Sequence, residues 1–227
     1  MPLDSFLLLW IPFVGGLVGW LLAANAQRTF KVPKDLILVF SGAFLLAIVV
    51  LELLPVVYTA TDKKMGYWIL LGIFIQSFLE YFSRGAEHGH IHLDKLQKFP
   101  LLLWLSLCIH AFIEGFPLVD FPHLAWGMFV HKIPIAFVIY LLLQKTNTSP
   151  FVRGLSLLLF VSMTTLGGLS MAYLDSLQAK SLPLLGVVVG VILHIATTII
   201  FESNEGHRFQ GAKLACILGA VLLALLL

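Results

Sequence analysis

The chain has 227 residues, of which 59% are hydrophobic and only 11% charged, and its mean hydropathy is +0.99. Soluble domains carry roughly a quarter of their residues as charges, so a water-soluble globule is excluded. A net charge of +2 is uninformative about acidic partners or nucleic acid, and no nucleic-acid partner is expected of such a membrane chain.

Roughly 20 apolar residues cross a bilayer. On that ruler the sequence predicts eight spans, at 5–26, 34–58, 66–84, 100–119, 123–144, 151–175, 182–201 and 211–227. The expected class is an all-α membrane bundle forming one transmembrane domain over 1–227. The opening MPLDSFLLLW has an acid and no basic residue before its apolar run. It lacks the positive region of a secretory signal and is expected to be a retained first span. The breaks between spans all carry charge, proline or glycine, as helix ends require. The last span is short and rich in Leu and Ala.

Basic residues set the expected orientation. Arg28, Lys31, Lys34, Arg84, Lys95, Lys98, Lys145, Arg153, Arg208 and Lys213 fall in odd-numbered loops, and only Lys63, Lys64 and Lys180 in even ones. The positive-inside rule then places the odd loops in the cytosol and both termini outside. The remaining basic residue, Lys132, lies inside the fifth span.

Along the third span Gln76, Glu80 and Arg84 form one stripe, and Glu80 preceding Arg84 by four predicts a helix ion pair. The following loop, 85–98, carries Glu87, His88, His90 and His92, alternating polar groups able to wrap zinc, nickel or copper. The alternative is a merely solvated loop. Cys108 and Cys216 both sit in apolar runs, which excludes a disulfide framework and a thiolate metal motif.

The fourth span holds the strongest signal. Ser106, His110 and Glu114 recur every four residues, so a helix places them on one face. Pro117 is expected to bend this helix and free a carbonyl, and Pro134 to do the same beside His131 in the fifth span. Imidazole and carboxylate at mid-membrane depth are costly and mark functional sites by default. Together they suit a first-row divalent ion. The alternative is that His110 and Glu114 hydrogen-bond each other and staple the bundle. In the seventh span His194, Thr198 and Glu202 recur at the same spacing, with Glu205 and His207 beyond. They read either as an exit path or as an interhelical hydrogen bond for His194 and an interfacial anchor for Glu202. On the outer side Glu52, Asp120 and His123 are placed to gather cations.

These residues also resemble a known family. HAFIEG (110–115) and HKIP (131–134) look like the fourth- and fifth-helix signatures of the ZIP (Zrt/Irt-like) divalent metal transporters. SGAFLLAIVVLELLP (41–55), GAEHGHIH (85–92), LGGLSMAYL (166–174) and VGVILHIATTIIFE (189–202) resemble the second helix, the histidine-rich loop, and the sixth and seventh helices, in order. The resemblance implies a two-metal site on the fourth and fifth helices. The first metal would take His110, Glu114 and the residue at 135, but Ile135 cannot ligate. The second would take positions 111, 132 and 164, occupied here by Ala111, Lys132 and Thr164. What remains is His110 and Glu114, with His131 as a third ligand. Family geometry makes Glu114 the expected partner of Lys132, whose ammonium would stand in for the missing second cation. The alternative is that Lys132 snorkels to a water cavity.

The expected function is inward transport of a divalent transition metal, zinc above all and otherwise Fe2+ or Mn2+, with no tightly bound cofactor and no enzyme activity. No Walker-type loop is present, so gradients would drive it. The alternatives are a ZIP-like metal-sensing or non-transporting protein and an intramembrane metalloenzyme. The latter needs a triad of ligands plus a general base, and HExxH is absent. The expected partners are the divalent ion and the lipid bilayer, with a homodimer left open. The expected location is a plasma membrane of bacterial type, with multiple passes.

Overall fold

The computed structural model describes residues 3–26, 34–59, 64–83, 98–121, 123–202 and 210–226. Among the described residues the regular elements are all helical. In chain order they are α1 (Leu3–Leu8), α2 (Ile11–Ala26), α3 (Lys34–Ile48), α4 (Leu54–Thr59), α5 (Met65–Ser83), α6 (Leu101–Glu114), α7 (Leu124–Gln144), α8 (Pro150–Tyr173), α9 (Asp175–Gln178), α10 (Ser181–Glu202) and α11 (Gln210–Ala224).

Among the described residues seven stretches are long and apolar enough to cross a bilayer: Phe6–Asn25, Leu36–Thr59, Met65–Phe82, Leu101–Val119, Leu124–Gln144, Pro150–Tyr173 and Ser181–Phe201. They match the first seven expected spans to within a few residues. The expected eighth is not confirmed among the described residues. The apolar run Gly211–Ala224 covers about 21 Å at the helical rise, short of the roughly 30 Å hydrocarbon core.

Prolines explain the local departures from straight helices. Pro12 has no N–H, and its ring opposes the carbonyl of Leu8, so the first span breaks between α1 and α2 rather than running through. The buried hydroxyl of Thr165 in α8 donates to the carbonyl of Leu9 at that break (2.8 Å). In the second span the α3 helix widens into a π-helical turn, Val49–Leu53, just before Pro55, and the chain continues into α4. Ser149 caps α8 by accepting the Val152 N–H, and Pro150 takes the first helical position, where no N–H is needed.

The helices pack in two groups. α2, α6, α7 and α8 pack on one another, as do α3, α5, α10 and α11, and the groups meet where α3 touches α7 and where α5 and α10 touch α6. Gly15 and Gly19 let α2 lie directly on α7, because a side chain at either would run into the backbone of Phe129 or Ile133. Gly115 and Gly167 do the same for α6 and α8.

Two apolar clusters fill the interior. One gathers Phe44, Ile48, Leu53, Leu124, Met128 and Val188 toward the N-terminal end of α7. The other gathers Leu107, Ala111, Ile135, Ile139, Phe160 and Val161 toward the N-terminal end of α6. Burial of this apolar surface against neighbouring helices locates the polar side chains caught between the clusters.

Candidate metal centre

Glu114 is the last residue of α6, about 20 Å along the helix from Leu101, and His131 is about 10 Å along α7 from Leu124. The two helices start at opposite ends of the bundle, so these distances put both residues at one level of a roughly 30 Å core. The α-helix does not bend at Pro117 as expected. It stops at Glu114, and Phe116–Val119 continue as a 3-10 turn. The stop is what leaves Glu114 at a helix end inside the protein. Pro134, by contrast, sits within an unbroken α7.

His110, Glu114, His131 and Lys132 are all buried. His110 Nε2 lies 2.9 Å and His131 Nε2 3.5 Å from Glu114 Oε1. One ligand atom from each of these three residues can be chosen so that all lie within 4.8 Å of one another. The other carboxylate oxygen has a different partner, since Lys132 Nζ donates to Glu114 Oε2 at 2.5 Å. The expected Lys132–Glu114 pairing is therefore made, and the ammonium does not snorkel away. It also sits 5.4 Å from the centre of the Phe160 ring, within cation–π range. The carboxylate is thus divided, with Oε2 clamped and Oε1 turned to two imidazoles.

The close His110–Glu114 approach lacks hydrogen-bond geometry. His110 Nδ1 and Nε2 and Glu114 Oε1 are all buried without a hydrogen bond, as is Thr164 Oγ1. A buried polar atom left so costs about 1–3 kcal/mol. The two side chains are nonetheless in ion-pair contact on one helix, and a cation among these atoms would satisfy them.

The remaining expected residues divide clearly. Ser106 is buried but gives its hydroxyl to the Leu103 carbonyl of its own helix. Ala111 and Ile135 belong to one apolar cluster and offer no ligand atom there. His194 Nε2 meets Glu80 Oε2 at 2.6 Å, a contact between α10 and α5. This is the interhelical hydrogen bond expected as one of the two readings of His194, and it engages Glu80. The expected Glu80–Arg84 pair falls on Arg84, which lies outside the described residues. Thr198 donates its hydroxyl to the His194 carbonyl of its own helix. Glu202 ends α10, and its side chain, like Glu87, His88, His90, His92, Glu205 and His207, lies outside those described. Asp120 rims a cleft of about 190 Å³ with Phe116, Pro117 and Ser181 at one end of the bundle, and Glu52 does not line it.

The resemblance motifs alone did not reveal one contributor. Ser41 of α3 is fully buried and bonds His131 Nδ1 (2.9 Å). A serine at the head of an apolar run gives no sequence signal for such a contact.

Fold and centre together define an integral, multi-pass helical membrane protein with a buried group of side chains suited to a metal ion. Comparison with protein-family models gives no match, and comparison with curated proteins gives none either.

Proposed function

We propose that the protein carries a divalent transition metal, zinc foremost, across the membrane into the cytosol by a ZIP-like route through the His110–Glu114–His131 centre. One observation carries this: three ligand atoms of the mixed nitrogen and oxygen kind lie within 4.8 Å of one another at mid-membrane depth. The distribution of basic residues supports placing the odd-numbered loops, and the Glu80–His194 end of the bundle, toward the cytosol.

The charge count favours passage over storage. Glu114 and Lys132 cancel, so with neutral imidazoles a bound divalent ion leaves the centre near plus two. Oε1 can ligate while Oε2 keeps its ammonium, so the ion enters without opening the clamp. Binding is correspondingly weak and release easy. The apolar clusters on either side act as two plugs, and the ion crosses as one parts and then the other. Asp120 at the outer cleft gathers cations, and Glu80 with His194, about 10 Å nearer the inner end than His131, receives them.

One observation favours a second reading, a metal-sensing protein without transport: Glu114 already has a resident cation in Lys132. Zinc uptake into proteoliposomes, with a series of competing metals, decides between them. Saturable uptake supports the carrier. Stoichiometric binding without uptake supports the sensor, and the absence of both overturns the metal centre itself.

A further inference from the structure

Six helical serines with described hydrogen bonds divide five to one. Ser77, Ser106, Ser156, Ser162 and Ser170 each donate to a carbonyl three or four residues earlier in their own helix. That local bond is the habit of serine inside a helix. Ser41 instead reaches 90 residues along the chain, from α3 to the His131 ring on α7. It is completely buried, and it belongs to the helix group that carries none of His110, Glu114, His131 and Lys132.

A neutral imidazole has one N–H, and the partner of one nitrogen decides which nitrogen keeps a lone pair. We propose that Ser41 is a positioning residue of the metal centre: its Oγ accepts the Nδ1 proton of His131 and so presents the Nε2 lone pair toward Glu114 Oε1. The hydroxyl can do this and still offer its own hydrogen to the carbonyl one turn back, as the other five serines do. Without it the nearby carboxylate, 3.5 Å from Nε2, draws the proton to Nε2 and removes the ligand. Ser41 therefore selects the metal-binding tautomer and fixes the plane of the ring, and it does so from across the interface between the helix groups. Partners of this kind commonly change metal affinity 10- to 100-fold.

The inference rests on the metal-centre reading, so its test has an arm that needs no metal. Ser41→Thr and Ser41→Val have nearly the same shape and differ by the hydroxyl, and Ser41→Ala removes the hydroxyl without adding bulk. In the metal-free protein, the 15N shifts of the His131 ring should place the proton on Nδ1 in wild type and Ser41→Thr, and on Nε2 in Ser41→Val and Ser41→Ala. Zinc titration should show Ser41→Thr close to wild type and the other two weaker by about 10- to 100-fold. A tautomer indifferent to the hydroxyl, or equal zinc affinity in Ser41→Thr and Ser41→Val, overturns the role of Ser41. A wild-type protein that binds no zinc, with a tautomer that follows the hydroxyl, overturns the metal-centre reading and leaves the hold on His131 standing.

Discussion

The His110–Glu114 contact measures 2.9 Å and the His194–Glu80 contact 2.6 Å, yet the two occupy opposite physical situations. The first joins neighbours on one helix turn, is 3% and 1% exposed, and lacks hydrogen-bond geometry. The second joins two helices, is 21% and 23% exposed, and is hydrogen-bonded. A histidine–carboxylate pair that bonds well at a partly exposed seam needs no ion. One sealed between apolar clusters, with His110 and Glu114 Oε1 lacking hydrogen bonds, is suited to hold one. Burial and hydrogen-bond geometry separate the two pairs more sharply than distance does.

The comparison can be broken most decisively at Glu114. Glu114→Ala removes a ligand and strands a buried ammonium, a loss typically of about 3–5 kcal/mol. It should abolish saturable zinc binding and uptake and lower the thermal midpoint in detergent. Full transport by Glu114→Ala would sink the distinction between the two pairs.

Changes at Lys132 come next. Lys132→Met leaves the carboxylate without its clamp, so the metal-free protein loses a few kcal/mol. With the ammonium gone zinc should bind more tightly, so at one fixed zinc concentration the zinc-induced rise in Tm should be larger than in wild type. Lys132→Glu should tighten zinc binding and slow release. Equal zinc affinity in Lys132→Glu and wild type would show that the ammonium does not compete for the centre.

His194→Ala tests the other side of the comparison with a smaller effect. Loss of one interhelical hydrogen bond costs about 1 kcal/mol. Zinc stoichiometry at the centre should be unchanged while the rate of uptake falls, and a lost zinc equivalent would make His194 a ligand in its own right.

The mildest expected effect is in the loop. Replacing His88, His90 and His92 together by serine should shift the apparent affinity for uptake and leave metal-free thermal stability untouched. Abolished uptake would place these histidines in the conducting path.

Legibility in the sequence followed the range of the interaction. Seven spans were readable because apolar length is a local property, and α11 fell short where its described run was only marginally long. His110 and Glu114 declared themselves by spacing within one helix. Joining them to His131 and Lys132 took the resemblance to a family whose fourth and fifth helices meet. What escaped was set by helix crossings: the Ser41 bond spans 90 residues, the Glu80 bond 114 and the Thr165 bond 156. Glu80 illustrates the point, since its bond to His194 joins α5 to α10 and no spacing within its own helix announces it. Likewise proline was expected to bend the helix at 117 and 134 alike, but two different outcomes followed: a helix stop and an unbroken helix.

A resident ammonium on Glu114 has a practical consequence for anyone handling the protein. Zinc fingers unfold when a chelator strips their ion, because nothing else balances the ligands. Here one carboxylate oxygen keeps its cation whatever happens at the other. Dialysis against a chelator should leave a folded apoprotein, ready to be reloaded with one metal at a time.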